Sequence, residues 1–253
     1  MSTTLWNEHG GSGTRTILLL HGLGATAAVW QGLGAVLHAR ALGHWIAPDL
    51  RGHGSSAWGR HYSVGELAAD LVPLVRDASE LYVVGHSLGV YLGLALASGW
   101  YGVRVRGVLG IGPKIVWSEA DLQAMGELAA RPVRWYPQQQ EALARYRRMS
   151  GLDVAIAPDA ALLARGVVRE QHRFRLAQDP RSFEIGGAPF ASLTASATAP
   201  LLLARGEHDP MVSLDCLRAH CGDARELAGA GHNVHVEHPD TVAGLLQELF
   251  ARG

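Results

Sequence analysis

The stretch LYVVGHSLG, residues 81–89, is the most informative part of this chain about its fold. Residues 81–84 are apolar without polar alternation, which is typical of a strand buried on both faces of a sheet. A helical pattern follows at residues 88–98, so the chain must reverse direction within a very short turn. Gly85 and Gly89 flank that turn. We expect them to leave room where the helix crosses the strand, because a side chain there would collide.

Ser87 lies inside this turn, within a G-x-S-x-G pattern. The start of a helix presents free backbone N–H groups, which favour a developing negative charge beside the serine. The pattern and its flanks therefore indicate a serine nucleophile held at a helix N-terminus. The plainer alternative is a serine that only caps the helix.

Further short apolar runs alternate with longer amphipathic stretches on both sides of this turn. Strands are predicted at residues 16–20, 44–47, 81–84, 105–111 and 201–204. Helices are predicted at residues 27–39, 63–77, 88–98, 213–220 and 239–251. This alternation favours an α/β fold with a mostly parallel central sheet flanked by helices.

The alternation stops between residues 113 and 199, where we find no convincing strand. Helical patterns are predicted there at residues 118–130, 138–149 and 158–178, separated by X-Pro pairs. We therefore predict a core of residues 1–112 and 200–253, with residues 113–199 inserted as a helical lid. A lid of this kind excludes water and shapes the access of a substrate.

The composition limits the possible classes of function. The 253 residues are 48% hydrophobic and 18% charged, and the net charge is −1. A chain of this composition is globular, and its charge favours neither nucleic acid nor an anionic membrane as a partner. Two cysteines are too few for a zinc site or a disulfide framework. With no apparent signal peptide or membrane span, we expect a cytoplasmic location.

A serine hydroxyl becomes nucleophilic when a base accepts its proton and an acid orients that base. Asp209 follows the predicted strand at 201–204, at the carboxyl end where open α/β sheets build their sites. His232 follows a short strand and a glycine-rich loop. We therefore predict His232 as the base and Asp209 as its acid. The other acids that could serve are Glu207, Asp215 and Asp223.

Acyl transfer also needs hydrogen-bond donors for the oxyanion. The backbone N–H groups of Leu23, in the loop after the first predicted strand, and of Leu88, after the nucleophile, are the predicted donors. His21 begins the first of these loops and is expected to brace it.

Two patterns suggest other chemistry. Residues 22–27 fit G-x-G-x-x-A, and Asp49 could mimic the acid that binds a ribose, as in a dinucleotide-binding domain. That interpretation leaves Ser87, Asp209 and His232 unexplained. A dense group of histidines and one glutamate near the C-terminus could suggest a metal site, although its spacing is not H-E-x-x-H. The group contains His232, His235, Glu237 and His238. We predict no cofactor and no metal.

The predicted lid carries many arginines, most of which we expect on solvated faces. They include Arg145, Arg147, Arg148, Arg165, Arg169, Arg173 and Arg175. One of them could instead reach into the pocket and bind a substrate carboxylate. Several aromatic residues of the lid could line an acyl pocket or form the lid's own core; among them are Trp117, Trp135, Tyr136, Phe174 and Phe183.

Together these motifs resemble the α/β-hydrolase superfamily, from about residue 14 to the C-terminus. The resemblance rests on His21-Gly22, residues 48–55 (PDLRGHGS), residues 85–89 (GHSLG), residues 206–209 (GEHD) and Gly231-His232. It implies the α/β-hydrolase fold, with a triad of Ser87, Asp209 and His232 and an oxyanion hole of Leu23 and Leu88.

The expected function is a serine hydrolase that cleaves a small or medium carboxylic ester, lactone or thioester with water. Relatives that cleave carbon–carbon bonds often carry an aromatic residue after the base, where this chain has Asn233. The alternatives are a carbon–carbon hydrolase, a cofactor-free perhydrolase, a lyase, or a ligand-binding member of the fold without turnover.

Overall fold

The computed structural model of the protein describes residues 4–153, 155–157 and 160–252. The strands are β1 (Asn7–Gly11), β2 (Arg15–Leu20), β3 (His44–Pro48), β4 (Glu80–His86), β5 (Val105–Ile111), β6 (Val167–Glu170), β7 (Arg173–Leu176), β8 (Leu201–Gly206) and β9 (Ala224–Leu227). The helices are α1 (Gln31–Ala39), α2 (Val64–Val75), α3 (Leu88–Ala97), α4 (Glu119–Ala129), α5 (Gln139–Met149), α6 (Phe190–Ser196), α7 (Leu214–His220), α8 (Val234–Glu237) and α9 (Pro239–Phe250).

Seven of these strands form one sheet in the order β1-β3-β2-β4-β5-β8-β9. Strand β1 runs antiparallel to β3, and the other pairs in this sheet are parallel. The predicted class, an α/β fold with a mostly parallel sheet, is confirmed. Because the strands are parallel, their carboxyl ends meet at one edge, and loops from distant parts of the chain converge there.

The sheet is buried on both faces. In β2, Ile17 and Leu19 belong to the cluster that packs against α1 and α9, whereas Leu18 and Leu20 belong to the cluster that packs against α2 and α3. This explains why the strand is apolar without alternation. Each residue of α3 is buried, as expected for a helix enclosed by the sheet and other helices. Within the described part of the chain, no helix combines the length and apolar character needed to cross a bilayer.

The polar edge strand was not predicted. The five residues of β1, NEHGG, are half-buried or exposed and include two glycines, so they lack the apolar pattern of a strand. Pairing with the backbone of β3 holds them in the sheet. The predicted strands within β2, β3, β4, β5 and β8 are confirmed to within a few residues.

The segment 113–199 contains two of its three predicted helices, as α4 and α5. The helix predicted over 158–178 is wrong. Its first two positions lie outside the described residues, and the remainder forms a short 3-10 turn (Ala161–Gly166) and the β6–β7 hairpin. In β7, Arg173, Phe174, Arg175 and Leu176 alternate polar and apolar, which is the period of a strand rather than of a helix.

Hydrogen bonds to buried groups hold this segment against the core. The backbone N–H of Asp179 donates to Gly52 O at 2.8 Å, and the Tyr62 hydroxyl donates to the Asp179 carboxylate at 2.6 Å. Arg165 pairs at 3.3 Å with Asp49, a fully buried acid of the core. The segment 113–199 is therefore anchored at the edge of the sheet formed by the carboxyl ends of the parallel strands.

Two buried histidines shape the loop after β2. His21 donates from Nδ1 to Gly22 O at 2.8 Å and accepts the Leu50 N–H at Nε2. His53 accepts the Gly24 N–H at Nε2, at 3.1 Å. Burial lowers the pKa of His21 to about 4 and that of His53 to about 3. Both rings are therefore neutral near pH 7, which lets each accept a backbone hydrogen bond.

These pKa values predict how stability depends on pH. An unfolded histidine takes up a proton near pH 6.5, but the folded rings resist protonation until about pH 4 or lower. The free energy of unfolding should therefore fall as the pH drops from 6.5 towards 4, because only the unfolded state binds the protons. Each histidine contributes a slope of about 1.4 kcal/mol per pH unit in this range.

Urea unfolding of the wild type and of His53→Gln at pH 7.5 and 5.0 measures this slope. The glutamine cannot be protonated, so the loss of stability between the two pH values should be smaller by about 2 kcal/mol. His61→Gln, at an exposed position, is the matched control. An equal loss in His53→Gln and the wild type would contradict the prediction.

Candidate active site

The turn between β4 and α3 is as tight as the sequence predicts. Ser87 adopts φ 50° and ψ −111°, a left-handed conformation that is strained for a residue with a side chain. A Cβ added to Gly85 would lie 2.4 Å from Gly89 O, and one added to Gly89 would lie 2.1 Å from Leu20 O. The expected role of both glycines is confirmed, since backbone atoms occupy the space that a side chain would need.

His232 and Asp209 form a hydrogen-bonded pair at the same edge of the sheet. His232 Nδ1 lies 3.0 Å from Asp209 Oδ2, and the Asp209 carboxylate is fully buried. The other carboxylate oxygen accepts the Met211 N–H at 2.9 Å. With Asp209 accepting the proton on Nδ1, His232 Nε2 is the nitrogen left to act as a base.

The four acids considered from the sequence have different surroundings. Glu207 accepts the Gly229 N–H, and Asp223 forms ion pairs with two arginines near the C-terminus. The side chain of Asp215 is 97% exposed. Asp209 is the one of these four whose carboxylate contacts His232.

Gly206 lets the loops that carry the pair approach each other, a role that sequence analysis missed. A Cβ at this position would lie 2.1 Å from Gly231 O. Beside it, the N–H of His208 donates to Ala230 O at 2.9 Å. The loop after β8 is thus hydrogen-bonded to the loop after β9, which brings the acid to the base.

Gly112 leaves space for the pair and was also missed. This residue follows β5 and has φ 56°; an added Cβ would lie 2.8 Å from Asp209 Oδ2 and 3.1 Å from His232 Nδ1. Its position after a parallel strand was the available signal, because every such loop opens onto the same edge of the sheet.

Backbone donors lie beside Ser87. Leu23 and Leu88 line the same cavity as Ser87 and His232. Leu88 is the first residue of α3, where a backbone N–H has no acceptor within the helix. Among the described residues, the N–H of Leu23 donates to no backbone acceptor in a turn or loop. The structure thus brings the two predicted donors around one space with Ser87 and His232, and Asp209 reaches the site through its hydrogen bond to His232.

Two further histidines pack behind His232. His86 Nε2 donates to the His232 carbonyl at 3.1 Å, and the rings of His86 and His232 are 4.6 Å apart. The centroid of the His235 ring lies 4.4 Å from that of His86 on one side and 4.3 Å from that of Trp30 on the other. Burial lowers the pKa of His86 far below its usual value and that of His235 to about 3. Both rings therefore support His232 as neutral packing groups.

The structure separates the residues that had suggested a metal. His235 is buried in the ring stack, and Glu237 accepts the Gly231 N–H at 2.7 Å. His238 lies where α9 begins. In the described ranges, no three or more His, Cys, Asp or Glu residues are arranged to hold a metal ion.

Asp49, which had suggested dinucleotide binding, is used internally. It is fully buried and accepts the N–H groups of Ala27 and Ser55, both at 2.8 Å. Its carboxylate therefore fixes the turns of the core and is not open to a ribose.

The space above Ser87 is a cavity of about 470 Å³ between the strand ends and the segment 113–199. Trp117 and Phe183 line it. The other aromatic residues of the segment pack elsewhere: Tyr136 and Phe174 pair by backbone hydrogen bonds, and Trp135 lies against Arg173. Of the five aromatic residues considered from the sequence, two thus face the cavity. Most of its remaining wall is apolar, a surface suited to a carbon chain.

Asn233 connects this cavity wall to the loop that carries His232. Its side-chain amide donates to Gly151 O at 2.8 Å and to Ser150 O at 3.3 Å, and the side chain is buried. These two carbonyls follow directly after α5. The residue beside His232 therefore holds the end of α5 in place over the site, a contact that sequence analysis did not foresee.

Known proteins share parts of this sequence. A candidate carbamate hydrolase of Variovorax paradoxus is 43% identical over 98 residues, 36% of this chain and 36% of that protein. A pimeloyl-(acyl-carrier protein) methyl ester esterase of Edwardsiella ictaluri is 27% identical over 267 positions, 100% of this chain and 99% of that protein. For several curated relatives, the match spans only 23% to 36% of the relative's length.

Solved structures have the same fold. The crystal structure of E-2-(acetamidomethylene)succinate hydrolase superimposes with a TM-score of 0.80 at 23% identity, covering 98% of this chain and 96% of that one. The family described as the Alpha/beta hydrolase family matches residues 17–245. The match covers most of the chain and includes Ser87, Asp209 and His232, so this protein belongs to the alpha/beta hydrolase family.

Proposed function

We propose that the protein is a serine hydrolase that cleaves a small or medium carboxylic ester, lactone or thioester through an acyl-enzyme on Ser87. The observation that carries this proposal is that His232, hydrogen-bonded to the buried Asp209, lines the same cavity as Ser87, a serine held in a strained turn. A serine and a histidine beside one apolar space, with a carboxylate that orients the histidine, are the groups that this mechanism requires.

In the first half of the reaction, Ser87 Oγ attacks the substrate carbonyl and His232 Nε2 takes the hydroxyl proton. Asp209 holds the other ring nitrogen and stabilises the imidazolium that forms. The N–H groups of Leu23 and Leu88 donate to the oxyanion of the tetrahedral intermediate. His232 then gives its proton to the leaving alcohol or thiol, and the acyl group remains on Ser87.

In the second half, His232 takes a proton from water, and the resulting hydroxide attacks the acyl-enzyme. Collapse of the second tetrahedral intermediate releases the carboxylic acid and returns the proton to Ser87. The Ser87–His232 hydrogen bond that starts this cycle is expected to form when substrate binds, because such bonds are often long in empty sites.

The apolar cavity and the names of two relatives support an acyl substrate. One relative is a methyl ester esterase and the other a candidate carbamate hydrolase, so both names concern a carbonyl bonded to a heteroatom. The segment 113–199 supplies much of the cavity wall, and we propose that it acts as the lid that excludes water during the reaction.

Ser87→Ala should abolish turnover while the fold remains intact. We expect hydrolysis of p-nitrophenyl esters to fall by at least about a thousandfold, because the nucleophile is lost and only binding and the oxyanion donors remain. Intact mass after a fluorophosphonate probe should show one adduct on the wild type and none on the variant. Ser79→Ala, at an exposed serine, is the matched control and should keep the adduct. A folded Ser87→Ala protein that still hydrolyses the ester would exclude the assignment.

Asp209→Asn should lower kcat by about a thousandfold to ten-thousandfold, because the amide can no longer hold His232 in the required tautomer. Steady-state kinetics with the ester that gives the highest wild-type rate tests this. Asp215→Asn changes an acid whose side chain is 97% exposed, and it should leave kcat unchanged. Equal losses in both variants would show that the effect is not specific to the acid of the triad.

A further inference from the structure

Four arginines of the segment 113–199 line the active-site cavity or a cleft beside it. The cleft, of about 110 Å³, is lined by Arg131, Arg134 and Arg145, and no described Asp or Glu lines it. Arg148 lines the active-site cavity itself. Among the described residues, none of these four arginines forms an ion pair, whereas Arg165 of the same segment is paired with a buried acid.

The cleft adjoins the active-site cavity. Met149 and Phe183 line both spaces, so the two are separated by a shared wall. Arg145 and Arg148 are three residues apart on α5 and therefore lie on one side of that helix. The positive charge thus continues from the cleft along α5 to the cavity that contains Ser87.

Among the residues that the structure describes, the other charged residues of the active-site cavity form no ion pair with Arg148. Lys114 lies 3.2 Å from Asp121, so these two charges offset each other.

Asn233 binds the two carbonyls directly after α5, which fixes the end of that helix relative to His232. A group bound by arginines of α5 would therefore be held in a defined position relative to the reacting atoms.

Like charges around one small cleft repel each other, and an anion would relieve that repulsion. Guanidinium groups present planar pairs of donors that match a phosphate or a carboxylate. We propose that the cleft of Arg131, Arg134 and Arg145 binds an anionic group of the substrate. This inference rests on the proposed function and specifies it: the substrate is an ester or thioester with a phosphate or carboxylate at a distance from the scissile carbonyl.

The anion could belong to the leaving group or to the far end of the acyl chain, and two matched substrate pairs distinguish these. Comparing kcat/KM for octanoyl-coenzyme A with that for the octanoyl thioester of N-acetylcysteamine tests whether phosphates on the leaving group are recognised. Comparing the p-nitrophenyl monoester of octanedioic acid with p-nitrophenyl octanoate tests whether a carboxylate at the end of the acyl chain is recognised. In one pair, the charged substrate should have a kcat/KM higher by about tenfold or more, an effect typical of hydrogen bonds to a charged group.

The double variant Arg134→Gln/Arg145→Gln should reduce that ratio to near one, and its main effect should be on KM. Added salt should reduce the ratio in the wild type, since exposed charges are screened. Arg169→Gln removes an arginine of the same segment that lines neither space, and it should keep the wild-type ratio. If the charged substrates have no advantage, or if the double variant keeps it, the proposed cleft is wrong even though Ser87-dependent hydrolysis stands.

Direct binding separates failure of this inference from failure of the proposed function. Calorimetric titration of coenzyme A and of octanedioate into the wild type, the double variant and Arg169→Gln needs no turnover. Binding that is lost only in the double variant supports the cleft, even if no ester is hydrolysed and the fluorophosphonate probe leaves Ser87 unmodified. If neither compound binds and no charged substrate is preferred, the arginines form only a solvated surface and the inference is overturned.

Discussion

The close crossing of α3 over β4 and β2 is the constraint on which the rest of this structure depends. At Gly85 and Gly89, backbone atoms occupy the positions where side chains would be. Because the helix must start so close to the strand, Ser87 takes a left-handed conformation between them. The serine and the first free N–H groups of α3 then face the edge where the parallel strands end, so any partner must reach the same edge.

The core and the segment 113–199 contribute different groups to that edge. On the core side, Gly206 allows the loops after β8 and β9 to touch, and Gly112 leaves space beside β5. The segment instead contributes Trp117, Phe183 and the arginines of α5 to the cavity and its neighbouring cleft. Asn233 holds the two sides together at the end of α5. The core and the segment therefore supply different walls of one space.

Local patterns were enough to identify most of the elements and the chemical groups. The runs at residues 16–20, 81–84 and 105–111 could be recognised as strands because apolar patterns report burial on both faces. The strand–turn–helix around Ser87 could be recognised because its glycines are required locally. Polar β1 and the β6–β7 hairpin could not be recognised as readily, since pairing with other strands, more than their own apolar content, stabilises them.

The folded chain was needed to establish which distant groups meet. Four acids were compatible with the sequence, and the folded chain places Asp209 against His232. It also engages Asn233 with the end of α5 and, within the described ranges, leaves one set of arginines beside the cavity without carboxylates. The physical reason is that local patterns encode burial and turn geometry, whereas contacts between residues far apart in the chain depend on how the loops converge after the sheet has formed.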